Sequence, residues 1–206
     1  MNIPVPHFCE GKDIDMGKKV SVEISARHVH LSEEVYKKLF GEDAEMTSVK
    51  DLTGGGAFVD ARRVTLVGPK SEMTRVAILG PYRPVQIELS KTDARKLGVD
   101  APIRISGDTK GSAPIKIVGE CGEYDAEEGA IIAKRHIHVC EREAAEWGVK
   151  KNDIVKVSIQ TDERSLIFDD VVIRTNPEES LAIMHIDTDE GNAAGMNGTM
   201  DGFVVD

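Results

Sequence analysis

Two stretches of the chain decide its reading: Ala26-Arg27-His28-Val29-His30 and Lys134-Arg135-His136-Ile137-His138, one Arg-His-x-His unit met twice at an offset of 108 residues (28 to 136). Each lies in a run that alternates apolar and polar residues, SVEISARHVHL (21–31) and AIIAKRHIHV (130–139), and such alternation predicts a β-strand. Residues i and i+2 of a strand leave the same face, so His28 and His30 project together, as do His136 and His138. An apolar residue follows each unit (Leu31, Val139), and then a short acidic-rich segment with helical character, SEEVYKKLFG (32–41) and CEREAAEWGV (140–149). A third such segment is SKTDARKLGV (90–99), and all three stop at a glycine, a common helix end.

Outward from these units the chain reads as short strands. RVTLVG (63–68), RVAILG (75–80), VQIELS (85–90), PIRIS (102–106), IKIVG (115–119), DIVKVSIQ (153–160), SLIFDDVVIR (165–174) and SLAIMHI (180–186) are separated by Gly, Pro, Asn and Asp. That is the rhythm of a barrel or sandwich. The length, 206 residues, fits two small domains, and a period near 108 is too long for a solenoid. The expectation is a mainly β protein of two duplicated small β-barrels with short capping helices. It has an N-terminal tail at 1–19, a first barrel at 20–108 and a second at 109–206, with strand exchange between the two left open. The break falls near SGDTKG (106–111).

Composition removes several function classes. The net charge is −10 and aromatics are 4% of residues, so neither duplex binding through a basic face nor single-strand binding by stacking is expected. No apolar run approaches the roughly 18 residues that cross a bilayer, and MNIPVPHFCEGKDIDMGKKV (1–20) lacks the basic and apolar regions of a signal peptide. Neither nucleic acid nor membrane is expected as a partner. Three widely spaced cysteines, Cys9, Cys121 and Cys140, fit a reducing cytoplasm better than a disulfide framework.

The two units hold four of the six histidines. A fifth, His185 in MHIDTDEGNAA (184–194), ends an apolar strand and runs into Asp187, Asp189 and Glu190, a segment that reads otherwise as a polar turn or helix cap. His7 stands alone in the tail. A single His-x-His is commonly two half-exposed strand residues, but two copies beside arginine point to a metal centre. Neutral imidazole suits zinc, copper, nickel or iron. Structural zinc usually recruits cysteines and closes its coordination, so a histidine and carboxylate set points to catalytic ions, and more than four histidines to two of them.

Other residues carry weaker signals. Arg83, at the edge of the turn GPYRPVQIELS (80–90), offers a guanidinium fork that matches phosphate, or is a solvated turn arginine. Glu88 faces away from Ile87 and Leu89, toward a metal or toward water. SGDTKGS (106–112) lacks P-loop spacing, and DLTGGGAF (51–58) reads as a flexible loop rather than an anion nest. Cys140 could reach the His138 site but reads more simply as a small packed residue, and Cys121, in the turn ECG, has no base beside it.

Taken together, SARHVHLS, RVTLVGPKS, ILGPYR, QIELSKTDARKLGVDAPIRISGD, GAIIAKRHIHV and MHIDTDEGNAA, spread from residue 20 to about residue 194, resemble the PduL-type phosphate acyltransferase (phosphate propanoyltransferase) family. The resemblance implies two β-barrels related by duplication with a two-zinc site between them. The implied reaction moves an acetyl or propanoyl group between coenzyme A and inorganic phosphate. His28, His30 and Glu88 would hold one zinc ion, His136, His138 and His185 the other, and Arg83 would bind phosphate; the coenzyme A contacts are unassigned. The chain departs from the family pattern in the five-residue step from Arg83 to Glu88, one residue shorter than usual, and in Gly191, where alanine is usual. Some relatives enter bacterial microcompartments through an amphipathic N-terminal extension; Pro4 and Pro6 make that a poor description of the residues before Val20, so a cytoplasmic protein is expected rather than one in a microcompartment lumen. An unpaired barrel edge would favour a homodimer. The alternative activity is a dinuclear metallohydrolase of a thioester or ester, with water in place of phosphate, and the non-enzymatic alternative is a zinc-stabilised double barrel that only binds a nucleotide or partner.

Overall fold

The Arg-His-x-His units sit where the chain changes direction. Each His of the first position, His28 and His136, has its Nδ1 hydrogen-bonded to a carbonyl two residues earlier, Ala26 O at 2.9 Å and Lys134 O at 2.8 Å. Each long run expected as one strand is two, β1 and β2 or β9 and β10, with this local bond at the break. The computed structural model describes residues 18–53, 56–176 and 181–205; most of the N-terminal tail, with His7 and Cys9, lies outside the described residues, as do Gly54 and Gly55 of the glycine run. In chain order the elements are β1 (Lys19–Ile24), β2 (His28–His30), α1 (Glu33–Phe40), β3 (Ser48–Asp51), β4 (Phe58–Val67), β5 (Glu72–Gly80), β6 (Gln86–Glu88), α2 (Lys91–Leu97), β7 (Ile103–Arg104), β8 (Ala113–Val118), β9 (Glu123–Ala133), β10 (His136–Val139), α3 (Glu141–Glu146), β11 (Ile154–Ile159), β12 (Leu166–Thr175), β13 (Ile183–Ile186), α4 (Thr188–Ala193) and β14 (Met200–Val205).

The strands close two rings of the same design. One runs β9-β6-β2-β5-β4-β8 and returns to β9. The other runs β1-β13-β10-β12-β11-β14 and returns to β1. The succession of parallel and antiparallel pairings is identical around the two, beginning with the parallel pairs β9·β6 and β1·β13. The exchange between halves is reciprocal. β1 opens the first half of the chain but stands in the second ring, at the place β9 takes in the first. Closure removes the open sheet edges that otherwise invite aggregation. β3 and β7 lie outside the rings, against β4 and β9.

Strand pairing crosses the break between segments 20–108 and 109–206, between which strand exchange was open. β1 belongs with the second barrel, and β8 and β9 belong with the first. The repeat is legible in sequence, but a strand's own residues do not state which neighbour it pairs with. Each ring encloses its own apolar core, one around Val29, Ile78 and Ile87, the other around Ile137, Ile173 and Met184.

Side-chain caps start all four helices of the described residues: Ser32, Ser90, Cys140 and Asp187 accept from the backbone N–H of Val35, Asp93, Glu143 and Glu190. Cys140 thus caps α3 at the position where Ser32 caps α1, rather than only packing. The segment after His185, read as a polar turn or cap, forms the extra helix α4, closed at its start by reciprocal bonds between Asp187 and Glu190. Gly191 in that helix leaves room for Ile24, whose Cδ1 stands 2.6 Å from where a Cβ would be.

Candidate metal centre

The strand registers place the ligand candidates. On β2 and β6, antiparallel partners, His28 lies opposite Glu88; on β10 and β13, also antiparallel, His136 lies opposite His185. Alternation sends Val29 and Ile87 into one core and Ile137 and Met184 into the other, leaving His28, His30 and Glu88, and likewise His136, His138 and His185, on the other face. Within each group the ligand atoms lie within 4.8 Å of one another. His28 Nε2 is 3.6 Å from Glu88 Oε2, and His136 Nε2 is 3.0 Å from His138 Nε2. The two groups line a single cavity of about 380 Å³, together with Arg83, Arg174, Glu23 and Ser106.

The surroundings of His30, His136, His138 and His185 favour the neutral, ligand-competent form of each. Burial, followed in size by the neighbouring His28 and Arg83, pushes His30 down to about 2. Burial and then His138 lower His136 to about 3; burial and then His185 lower His138 to about 4. His185 is lowered chiefly by burial, against the opposing pull of Glu23. With Nδ1 of His28, His30 and His136 bonded to the carbonyls of Ala26, Leu79 and Lys134, the Nε2 atoms are left to face the cavity. Neutral imidazoles and one carboxylate, with no thiolate among them, fit a borderline divalent cation in each triad.

A supporting layer holds the ligands. Glu88 Oε1 accepts from Gln86 Nε2 at 2.5 Å and from Ser106 Oγ at 2.9 Å, while Gly107 N–H donates to Gln86 Oε1 at 2.7 Å. This leaves Oε2 for His28 and a cation. The arginine of each repeated unit reaches an acid on a short helix: Arg27 Nη1 to Asp93 of α2 at 3.3 Å, and Arg135 Nη1 to Glu190 of α4 at 3.1 Å.

The structure thus brings all six ligand candidates to one cavity. It also puts Arg83 there, donating to Ser106 Oγ at 3.2 Å, so the shortened step to Glu88 does not carry the guanidinium away. Neither Cys140 nor the exposed Cys121 lines the cavity. Sequence reading missed Gln86, Ser106, Arg174 and Glu23. Gln86, two residues before Glu88 on the same strand face, was the one with a local signal. Ser106 and Gly107 belong to the glycine-rich stretch that lacks P-loop spacing; Ser106 donates to the Glu88 carboxylate and Gly107 to Gln86 beside it.

Fold and site together define a class: a duplicated double barrel in which each barrel presents one triad of candidate cation ligands to a shared cavity. Residues 21–197 match the family model described as phosphate propanoyltransferase, and the chain belongs to that family, a family of transferases. It is 49% identical to the phosphate propanoyltransferase of Thermotoga maritima over 179 residues, covering 86% of this chain and 85% of that protein. It is 51% identical to the one of Lachnoclostridium phytofermentans over 180 residues, covering 86% and 83%. For that of Salmonella typhimurium the identity is 44%, with 86% and 84% covered.

Proposed function

We propose that the protein transfers a short acyl group, propanoyl or acetyl, between coenzyme A and inorganic phosphate, at two zinc ions held by His28, His30 and Glu88 and by His136, His138 and His185. The observation that carries this reading is the convergence of those six side chains and Arg83 on one cavity, in a chain of the phosphate propanoyltransferase family. Bound ions would supply Lewis acidity and a template that brings anion and thioester together.

The chain's own residues do the rest. Arg83, with its planar fork, grips phosphate oxygens and orients one toward the thioester carbonyl. Leu79 and Leu89 give the cavity apolar wall suited to a short acyl chain. The phosphate oxygen forms the new C–O bond, the C–S bond breaks, and coenzyme A leaves as thiolate. Direct transfer needs no acylated residue, and neither Cys121 nor Cys140 is placed to become one. Among the described residues no helix is long and apolar enough to cross a membrane; a cytoplasmic location is part of the proposal.

The test is thiol release from propanoyl-CoA and acetyl-CoA, with and without phosphate, beside elemental analysis of the purified protein. Phosphate-dependent release with about two zinc ions per chain is the expected result. Release that ignores phosphate identifies a hydrolase and overturns the transfer reading.

A further inference from the structure

Arg174 lies on β12, parallel to β10, and its register partner is His138. Its side chain therefore leaves the sheet on the face of His136 and His138, and it lines the cavity. The duplication makes its presence informative. In the first barrel β5 runs parallel to β2, with Val29 opposite Ile78, so the corresponding partner of His30 is Leu79, whose carbonyl bonds His30 Nδ1. The strand design works with leucine at this place, so the arginine is not there for the fold.

Among the described residues no ion pair or hydrogen bond is made by the Arg174 side chain, although the residue is half-buried and its register partner is His138. A second guanidinium enters the cavity from the other barrel. Arg83 is held below its usual range first by burial, with Glu88 opposing and Arg174 adding to the effect, so the two cations sense each other. Glu88 already serves His28, Gln86 and Ser106. Two half-buried guanidiniums facing one cavity call for a small anion of more than one charge, with oxygens for two forks.

We propose that Arg174 is a second phosphate-positioning residue, gripping from the second barrel the inorganic phosphate that Arg83 grips from the first, and equally the phosphoryl end of the acyl phosphate in the reverse direction. This rests on the acyltransferase reading above.

The experiment compares wild type, Arg174→Gln and Arg174→Lys, all zinc-loaded. Phosphate binding is measured by equilibrium dialysis, KM is measured separately for phosphate and propanoyl-CoA, and zinc content and Tm are recorded. Losing charged hydrogen bonds is expected to weaken phosphate binding and raise its KM about tenfold to a hundredfold in Arg174→Gln. Arg174→Lys should fall between, since it keeps the charge but not the fork. KM for propanoyl-CoA, zinc content and Tm should stay at wild-type values. Unchanged phosphate binding overturns the proposal; so does a rise confined to the KM for propanoyl-CoA, which would assign Arg174 to coenzyme A, or a loss of zinc, which would make it structural. If wild type binds phosphate yet releases no coenzyme A, the acyltransferase reading fails while the dialysis still decides the role of Arg174.

Discussion

The two triads occupy matching positions in two copies of one strand ring, and they differ in a single side chain. Opposite the first histidine of the unit stands Glu88 in one barrel and His185 in the other. Much else is kept: the Nδ1 bond to a carbonyl two residues back, the arginine clamped to a helix acid, and a side-chain cap on the following helix. Register fixes where a ligand stands, and side-chain identity then sets its charge. The first triad carries a carboxylate. In the second, the carboxylate stands one strand away: Glu23 on the exchanged strand β1 is aligned with His185, where Ile131 on β9 is aligned with Glu88. Two sites of one geometry thus carry different side chains, a carboxylate in one and a third imidazole in the other.

Removing a histidine from either triad tests whether they are equal in need. His28→Ala and His136→Ala should each drop one equivalent of zinc and lower turnover by on the order of a thousandfold or more. A fully active variant with its metal content cut in half would mean that only one triad matters.

Ser106→Ala should separate the two. It frees Glu88 from one of its two donors, and the second barrel has no ligand carboxylate to free. Loss of such a supporting bond typically costs about 10–100-fold in metal affinity. Chelator titration is expected to show one weakened and one unchanged equivalent; two equally weakened equivalents would make Ser106 a general structural residue.

The lowered histidines set the response to acid. Folded, His30, His136 and His138 sit at about 2, 3 and 4, against an ordinary value of 6.5. Below 6.5 the unfolded chain takes up protons that the folded chain refuses, so stability falls with pH. Chemical denaturation of the metal-free protein should therefore show its midpoint dropping steadily from about pH 6.5 to pH 4. A midpoint flat across that window would contradict neutral, buried imidazoles.

The smallest effect concerns the caps. Cys140→Ser makes the second barrel copy Ser32 of the first, and serine is the better cap. A gain of about 0.5 kcal/mol or less, with full activity, is expected from thermal unfolding and turnover; loss of activity would bring the thiol into the chemistry.

How much of this could be read from the chain follows from the range of each signal. The Arg-His-x-His repeat is local and alternates with strand period, so it exposed the duplication and four of the ligand candidates. His185 and Glu88 were legible as polar residues breaking apolar strands. The reciprocal exchange of β1 and β9 was not, because strand pairing is a long-range fact that pattern does not encode. Nor were Ser106 and Arg174: the first reaches Glu88 from a loop 18 residues away, and the second is one arginine at the end of an ordinary strand. The helix α4 was missed because its opening, Asp-Thr-Asp-Glu, carries turn and cap signals before helical ones.

The most direct test of the central claim is a crystal of the zinc-loaded protein examined by anomalous scattering at the zinc edge. Two peaks are expected, one ringed by His28, His30 and Glu88 and one by His136, His138 and His185, opening onto the same cavity. A single peak, or peaks bound by other residues, would contradict the account.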